Sequence, residues 1–369
     1  MIFENHTPFP AIAWPNIDKD EREYLTTVVR VKYLFKEQDE SGLWSLKLAQ
    51  DQGELFGEDI FYEDNMNASV LYESDYVTYK PYGDLIINGY AHQEEERKSW
   101  LCGVEVLREE SSTLKTILEQ RVRVYGERNW EWWLHGWNLH QLSKSKKVAL
   151  RYENAYGGYS LNPKRDREGE LKYLDYFEAN PVGKGVIHRK VREGKGTVPA
   201  HQIESDDEKI STINKKGIEP QGFGFINRSW EPRLSMVGQE EQEDITLLCR
   251  DFDEHHNNGA HRDMQLKEGY FRPNDIIILE NMLKGESIQG VRVPALYFYG
   301  DSGLNREESK FFLEIDTIIL ELRSDEMEEN GVYMSYRKRV EKNIEVKSVS
   351  LNMVVPQEFK ANRDTREKE

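Results

Sequence analysis

The sequence predicts a mainly β protein in which two β-rich halves, sandwich- or barrel-like, pack around a loop-rich middle with few helices. Apolar residues fall in short runs rich in β-branched and aromatic types, and Gly, Asn, Asp and Pro separate these runs. Helical periodicity is weak. The one candidate is 236–249, which we expect to form an amphipathic helix with Ile245 and Leu248 turned inward.

The candidate strands form two groups on either side of a long polar region. They are 26–35, 44–48, 84–90, 100–107, 114–125 and 147–152, followed by 275–280, 291–299, 311–322, 331–340 and 346–355. Because alternation of apolar and polar residues is only partial in 317–322, we expect some strands to be covered on both faces. The resulting division is an N-terminal β-rich half at 1–150, a motif-rich connecting region at 151–265, a C-terminal β-rich half at 266–355 and a tail at 356–369.

The middle of the chain differs in composition from both halves. Residues 154–233 are rich in Gly, Pro, Asn and charged types, which is typical of ordered loops and short strands. Within them, 203–217 is charged and poor in aromatic residues, so we expect a mobile excursion there. The polar end at 356–369 predicts a frayed tail.

Composition excludes several classes of partner. Fifty Lys plus Arg against 67 Asp plus Glu give a formal net charge of -17, which opposes binding to nucleic acid or to an anionic membrane surface. The sequence shows no secretory leader and no run of about 18 apolar residues, so we expect a cytoplasmic protein. Cys102 and Cys249 lack metal-binding spacing, which favours reduced thiols and no structural zinc.

One histidine-rich loop could serve an enzyme. Imidazoles and carboxylates are ligands for divalent metals, so Asp253, His255, His256 and His261, with Asp251 nearby, suggest a metal-dependent hydrolase as the alternative function. Their spacing is not the i, i+4 pair that a helical metal motif provides. We therefore favour a turn-rich loop with solvated histidines, and we predict no stoichiometric metal, no cofactor and no catalytic residues.

Six glycines recur in pairs in the middle region. They lack the third glycine and following helix of a phosphate-binding loop, so we predict backbone turns with positive φ instead of a nucleotide site. The glycines are Gly157, Gly158, Gly183, Gly185, Gly222 and Gly224.

A tryptophan block is the clearest candidate for partner binding. Half of the chain's eight tryptophans, Trp130, Trp132, Trp133 and Trp137, lie within eight residues. Core filling is the ordinary role of each single ring, but alternate residues of a strand face opposite sides. We therefore expect at least one of these rings to be exposed and to contact a protein partner.

Short sequence strings also follow one another in a fixed order along nearly the whole chain. They include Asn5, Thr7, Pro8, Phe9; Asp75, Tyr76, Val77, Tyr79, Lys80, Pro81; 84–91; 122–130; Arg151, Tyr152, Glu153, Gly157, Gly158; Asn180, Pro181, Gly183, Gly185; Gly222, Phe223, Gly224; Phe252, Asp253, Asn258; and Ile315, Asp316, Thr317. In this order they resemble the bacterial family known as domain of unknown function 2169. We call them the family strings below.

The resemblance implies a function that the residues alone do not. Members of this family accompany type VI secretion effectors, so the expected role is a non-enzymatic adaptor or chaperone. It would bind a secreted effector toxin and promote its loading on the spike, near a PAAR-type tip protein. A structural part of the secretion machine is a further option. The histidines of the 251–263 loop and the stretch after Trp130 depart from the family pattern, which weakens a metal site and favours a partner particular to this protein.

Overall fold

The computed structural model describes residues 1–134, 136–158, 164–165, 171–173, 176–187, 196–213, 217–240, 248–302, 310–341 and 348–354. Regular structure in these residues is almost entirely β, which confirms the predicted mainly β class. The helices in these ranges are 3₁₀ turns of three or four residues, at Tyr62–Asp64, Tyr152–Asn154, Leu234–Val237, Glu254–Asn257, Arg262–Met264 and Met327–Glu329. None of the helices in this part of the chain has the length and apolar character that crossing a membrane requires.

The strands are numbered in chain order. The first thirteen are β1 (Ile2–Asn5), β2 (Ala11–Ile17), β3 (Glu23–Gln38), β4 (Leu43–Leu48), β5 (Ile60–Phe61), β6 (Val70–Tyr72), β7 (Gly83–Arg97), β8 (Ser99–Glu110), β9 (Thr113–Tyr125), β10 (Arg128–Trp133), β11 (Gly136–Gln141), β12 (Ser145–Ala149) and β13 (Tyr156–Gly157). The others are β14 (Lys164–Arg165), β15 (Leu171–Tyr173), β16 (Lys184–Gly185), β17 (Thr197–Ala200), β18 (Ile203–Ser205), β19 (Gln265–Leu266), β20 (Ile276–Glu280), β21 (Ile288–Arg292), β22 (Tyr297–Asp301), β23 (Lys310–Phe312), β24 (Glu314–Leu322), β25 (Gly331–Glu341) and β26 (Ser348–Val354).

Thirteen strands form one mixed, curled sheet. Its order is β12-β7-β24-β25-β3-β4-β21-β20-β8-β9-β18, with β19 beside β7 and β2 beside β3. Strands from 1–150 and from 266–355 interleave in this order, since β24 pairs in parallel with β7 and β25 pairs antiparallel with β3. Both halves are β-rich, and the division between them in sequence is not a division of the sheet.

The central strands are buried on both faces, as partial alternation predicted. In β24 the eight residues from Ile315 to Leu322 are all buried, and in β3 the run from Leu25 to Val31 is buried without interruption. Most apolar members of these strands join one large core with residues of β7, β8 and β20, while Leu25 packs in a smaller cluster with Ala13 and Val349. β-branched side chains suit such strands because they pack closely on a pleated surface.

Three local predictions needed correction. The segment 291–299 divides into β21 and β22 around Pro294, which cannot donate a ladder hydrogen bond, and 311–322 divides into β23 and β24 at Leu313. The predicted helix at 236–249 is wrong: Gly238, with φ of 87°, ends the short turn Leu234–Val237. Leu248 is 42% exposed and not inward, while Ile245 and the tail at 356–369 lie outside the described residues.

Strands of the middle region, together with the preceding β10 and β11, form small sheets beside the large one. β10 lies between β11 and β17, and β13 pairs in parallel with β16. The expected mobile excursion at 203–217 instead begins with β18, which pairs with β9 and carries the buried Ile203. Backbone pairing can hold a charged segment in place even where few aromatic residues are present, and composition alone does not reveal this.

Candidate partner-binding site

The tryptophan block forms a β hairpin. β10 and β11 pair antiparallel, with Trp130 opposite Leu139 and Trp132 opposite Trp137. Leu134, one of the two residues that join the strands, has φ of 53°, a left-handed conformation that short hairpin loops require. Because side chains alternate along a strand, Trp130 and Trp132 face one side of β10 and Trp133 faces the other.

The inner face of the hairpin is part of the core. Trp130 is fully buried and packs in a cluster with Tyr156, Ile187 and Ala200. Trp132 and Trp137 are half-buried beside it, with their ring centroids 5.8 Å apart in an edge-to-face arrangement. Three of the four rings therefore contribute to packing and hold the hairpin to the body of the protein.

The base of the hairpin is also fixed by a buried charge. The Arg128 guanidinium donates to the His201 carbonyl at 2.6 and 2.9 Å and to Glu204 Oε1 at 2.9 Å. His201 Nε2 lies 2.7 Å from the same carboxylate oxygen, and burial lowers the pKa of this histidine. Charge-assisted hydrogen bonds of this kind give the base a single geometry.

The tip of the hairpin is exposed. Trp133 is 67% exposed and Leu134 is 75% exposed. A single exposed apolar side chain is ordinary, but two large consecutive ones at the end of an anchored hairpin form a compact apolar contact surface. We call Trp133 and Leu134 the hairpin tip. One ring of the block is thus exposed, while its contact with a partner stays a prediction.

The family strings in the middle region meet at Asn180. This side chain is fully buried and donates from Nδ2 to the carbonyls of Tyr152 and Tyr156 at 2.8 and 3.1 Å. A Cβ on Gly157 would lie 2.1 Å from the Asn180 carbonyl oxygen, and one on Gly183 would lie 2.4 Å from Asn180 Nδ2. We call Asn180, Gly157 and Gly183 the Asn180 cradle, and only glycine fits at its two flanking positions.

Positive φ, the predicted reason for the six glycines, is correct at two positions and wrong at the other four, Gly157, Gly183, Gly222 and Gly224. Gly158 and Gly185 have φ of 125° and 107°, which few other residues adopt. Gly157 and Gly183 do not have positive φ and are instead limited by their approach to Asn180. Pro181 follows Asn180 in the same turn and is half-buried.

The remaining middle strings also have structural roles. Glu153 accepts hydrogen bonds from the Ser69 amide and hydroxyl and from Arg151. Burial favours the neutral acid, but these donors hold the pKa of Glu153 below its usual value. A Cβ on Gly222 would lie 2.7 Å from the ring of Tyr152.

In the string Gly222, Phe223 and Gly224, the structure explains the phenylalanine but not the second glycine. Phe223 is fully buried, and its carbonyl accepts the Ile87 amide at 2.8 Å, which ties the string to β7. A Cβ on Gly224 would meet nothing within 4 Å, and the structure gives no reason for glycine there.

The side chains of the histidine-rich loop form local hydrogen bonds and do not converge on one point. Asp253 caps the turn Glu254–Asn257 by accepting from the His255 amide at 3.0 Å, and Asp251 accepts the amides of 239 and 240. His256 Nδ1 lies 2.9 Å from the Arg233 carbonyl, and His261 is fully buried. In the described part of the chain no three His, Cys, Asp or Glu side chains are grouped so that they could hold a metal ion.

Buried ion pairs, which sequence reasoning missed, connect the other family strings. Lys80 Nζ lies 2.7 Å from Asp84 and 2.9 Å from Thr317, and Asp84 also accepts from Asn258 and the Gly259 amide at 2.9 Å. These residues come from three distant parts of the chain. The only signal in the sequence was the presence of charged residues within strings otherwise expected to be core.

A second buried network lies on the neighbouring strands. Arg30 pairs with Asp75 at 2.7 Å, and Arg337 pairs with Asp316 at 2.5 Å and also donates to the Asp75 carbonyl at 2.8 Å. Each charge in the two networks has a protein partner, so the strings that carry them serve the fold.

Residues 20–337 match the model of a protein family described as "Uncharacterized protein conserved in bacteria (DUF2169)". Comparison with curated proteins and with solved structures gave no match in either case. The family match runs from before β3 into β25, and so includes nearly all of the interleaved part of the large sheet. The chain therefore belongs to the DUF2169 family of uncharacterized bacterial proteins.

Proposed function

We propose that this protein is a non-enzymatic adaptor that binds a type VI secretion effector and promotes its loading on the spike complex. The role is the one implied by the family resemblance. The observation that carries it is the hairpin tip, where Trp133 and Leu134 stand exposed on a hairpin whose base is locked into the core. A partner that covers the tip gains apolar contact without having to order a loop.

The hairpin has the energetic features of a binding anchor. Tryptophan is enriched among interface residues whose truncation costs about 2 kcal/mol or more. The half-buried Trp132 and Trp137 pack against each other next to the tip, and the buried Arg128 ties β10 to His201 and Glu204. Pre-ordering of this kind lowers the entropy lost on association.

Co-purification tests the proposal directly. The double variant Trp133→Ser and Leu134→Ser should fold normally and weaken binding of the cognate effector by roughly thirtyfold, the equivalent of about 2 kcal/mol. The matched control is Met66→Ser, because Met66 is 81% exposed and lies away from the hairpin, on the β5–β6 connection. Unchanged effector affinity in the double variant would place the interface elsewhere.

Secretion separates an adaptor from a structural component of the machine. An adaptor should be absent from the secreted spike fraction, and the double variant should reduce secretion of its own effector while other effectors are secreted normally. Recovery of the chain with the secreted spike in fixed proportion would favour a structural component. Among the described residues no specific contact favours the hydrolase alternative, because Asp253 and His255 pair with each other while His256 Nδ1 lies against the Arg233 carbonyl.

A further inference from the structure

A cavity of about 600 Å³ lies at the outer edge of β9. One wall is formed by 119–121 of β9, another by β18 and the residues after it, and the rest by 217–221 and the turn at Arg262–Met264. It is separate from the hairpin tip, since neither Trp133 nor Leu134 lines it.

The lining carries an excess of negative charge. Seven acidic residues and two arginines line the cavity. Both arginines are already paired: Arg262 lies 2.8 Å from Glu219, and Arg121 lies 3.4 Å from Glu119 and 3.5 Å from Glu280. Two of the acids pair with arginines outside the lining, Glu204 with Arg128 at 2.9 Å and Asp206 with Arg123 at 2.8 Å, and the acids still outnumber these four arginines. Low-dielectric walls focus the field of such a cleft and attract a positive ligand.

An unpartnered acceptor lies in the same wall. Gln120 is only 4% exposed, and its Nε2 donates to Gln221 Oε1 at 3.3 Å. Gln221 Nε2 in turn donates to the Glu219 carbonyl, so the orientation of both amides follows from the chain of hydrogen bonds. The side-chain oxygen Oε1 of Gln120 then has no hydrogen-bond partner among the described residues. A buried acceptor in this state costs about 1–3 kcal/mol and calls for a donor.

The neighbouring backbone suits an extended ligand. On its outer side β9 pairs with β18 only at 122–124, and in the described ranges no strand pairs with 113–121 there. A free strand edge of this kind accepts an extended peptide by backbone hydrogen bonding. The lining acids form no metal-binding group of three or more among the described residues, which favours an organic cation.

We infer that this cavity receives an arginine side chain from an extended basic segment of a protein partner. A guanidinium offers five donors in a plane, enough to bond the side-chain oxygen Oε1 of Gln120 and the surrounding carboxylates together. A cation here also compensates Glu219, whose pKa is raised by burial. The inference goes beyond the proposed adaptor role, because it concerns another surface and holds for any partner with such a segment.

A fluorescent hexa-arginine peptide is the probe. Wild-type protein should bind it with a micromolar Kd in an anisotropy titration at low salt. Replacing three lining acids, Glu119→Gln, Asp207→Asn and Asp263→Asn, should weaken binding at least tenfold. The matched control removes the same charge outside the cavity, at the exposed Glu40, Glu326 and Glu328, each to Gln, and should stay within twofold of wild type.

A second variant tests the unpartnered acceptor. Gln120→Met should weaken hexa-arginine binding several-fold while leaving the thermal unfolding midpoint close to that of wild type, since it removes an unsatisfied buried acceptor together with the long hydrogen bond to Gln221. The inference is overturned if wild-type protein does not bind hexa-arginine, or if the cavity and control triple variants lose the same affinity, which would assign the binding to the net charge of -17. The hairpin-tip double variant should bind the peptide normally. A negative result for the cavity would therefore leave the proposed hairpin-tip interface untouched, and a negative result for the tip would leave the cavity untouched.

Discussion

The Asn180 cradle lies in the connecting region and the hairpin tip at the end of β10 in the N-terminal half, and the two differ in burial and in packing. In the cradle, a fully buried amide meets two glycines so closely that a single added carbon would overlap it. At the tip, Trp133 and Leu134 contact mainly solvent. The cradle carries a family string, whereas the tip lies in the stretch that departs from the family pattern. At the cradle the family string therefore marks a place where packing permits no larger side chain, whereas packing sets no such limit at the tip.

The largest effect should come from breaking a buried ion pair of the family strings. Asp84→Ala leaves the Lys80 ammonium and the Asn258 amide without their shared acceptor, so the free energy of unfolding should fall by about 3–5 kcal/mol. Urea denaturation of the variant and of the wild-type protein measures this difference in the free energy of unfolding. Glu37→Ala, which breaks the exposed Lys36–Glu37 pair, should cost less than about 1 kcal/mol. A loss below about 1 kcal/mol for Asp84→Ala would mean that the network is dispensable.

The next largest effect is a dependence of the free energy of unfolding on pH, caused by His261 at the edge of the acidic cavity. His261 lies 3.3 Å from Glu219 and 3.6 Å from Asp263, with Arg262 beside it, and burial lowers its pKa to about 4. The unfolded chain takes up this proton near pH 6.5, so between about pH 6.5 and 4 it binds more protons than the folded chain. The stability contributed by neutral His261 is therefore present above about pH 6.5 and is lost as the pH falls, by on the order of 3 kcal/mol at pH 4.

Replacement of the histidine isolates this contribution. In His261→Gln the free energy of unfolding should decline less steeply between pH 6.5 and 4, as measured by urea titrations at four pH values. His201 and His256, whose pKa values are also lowered by burial, are retained in both proteins and cancel in the comparison. Parallel curves for the two proteins would contradict the assignment.

A smaller effect should separate two buried glycines of the family strings. Gly157→Ala places a methyl group against the Asn180 carbonyl, a backbone atom that cannot rotate away, and should cost about 2 kcal/mol. Gly224→Ala has open space and should be neutral or stabilising by a few tenths of a kcal/mol, since alanine restricts the unfolded chain. Equal losses in thermal stability would show that the cradle is not the constraint.

The smallest effect on stability should be at the hairpin tip. Trp133→Ser removes an exposed ring and should change the free energy of unfolding by less than about 0.5 kcal/mol. Under the proposed function, the same substitution should weaken effector binding. Differential scanning calorimetry is sufficient to measure the change in stability. A loss above about 2 kcal/mol would place the ring in the core and remove the basis for the proposed binding site.

Sequence patterns predicted the elements better than their arrangement. β3, β8, β9 and β25 coincide with predicted strands, because β-branched and aromatic runs mark buried pleated segments locally. β10 and β11 were not predicted as strands, since their tryptophans suggested a contact surface without indicating a hairpin. The start of the segment 203–217 was not predicted as a strand, because 203–205 pair with β9, a strand some eighty residues earlier in the chain.

The sequence by itself determined the β class, the family and the presence of more tryptophan than one strand face can bury, since all three follow from local residue types and their order. Tertiary structure alone decided which ring is exposed, that Lys80, Asp84, Asn258 and Thr317 form one network, and that Gln120 borders an acidic cavity. Each of these depends on contacts between residues far apart in the chain, and single-sequence patterns carry no record of strand register or of what lies opposite a side chain.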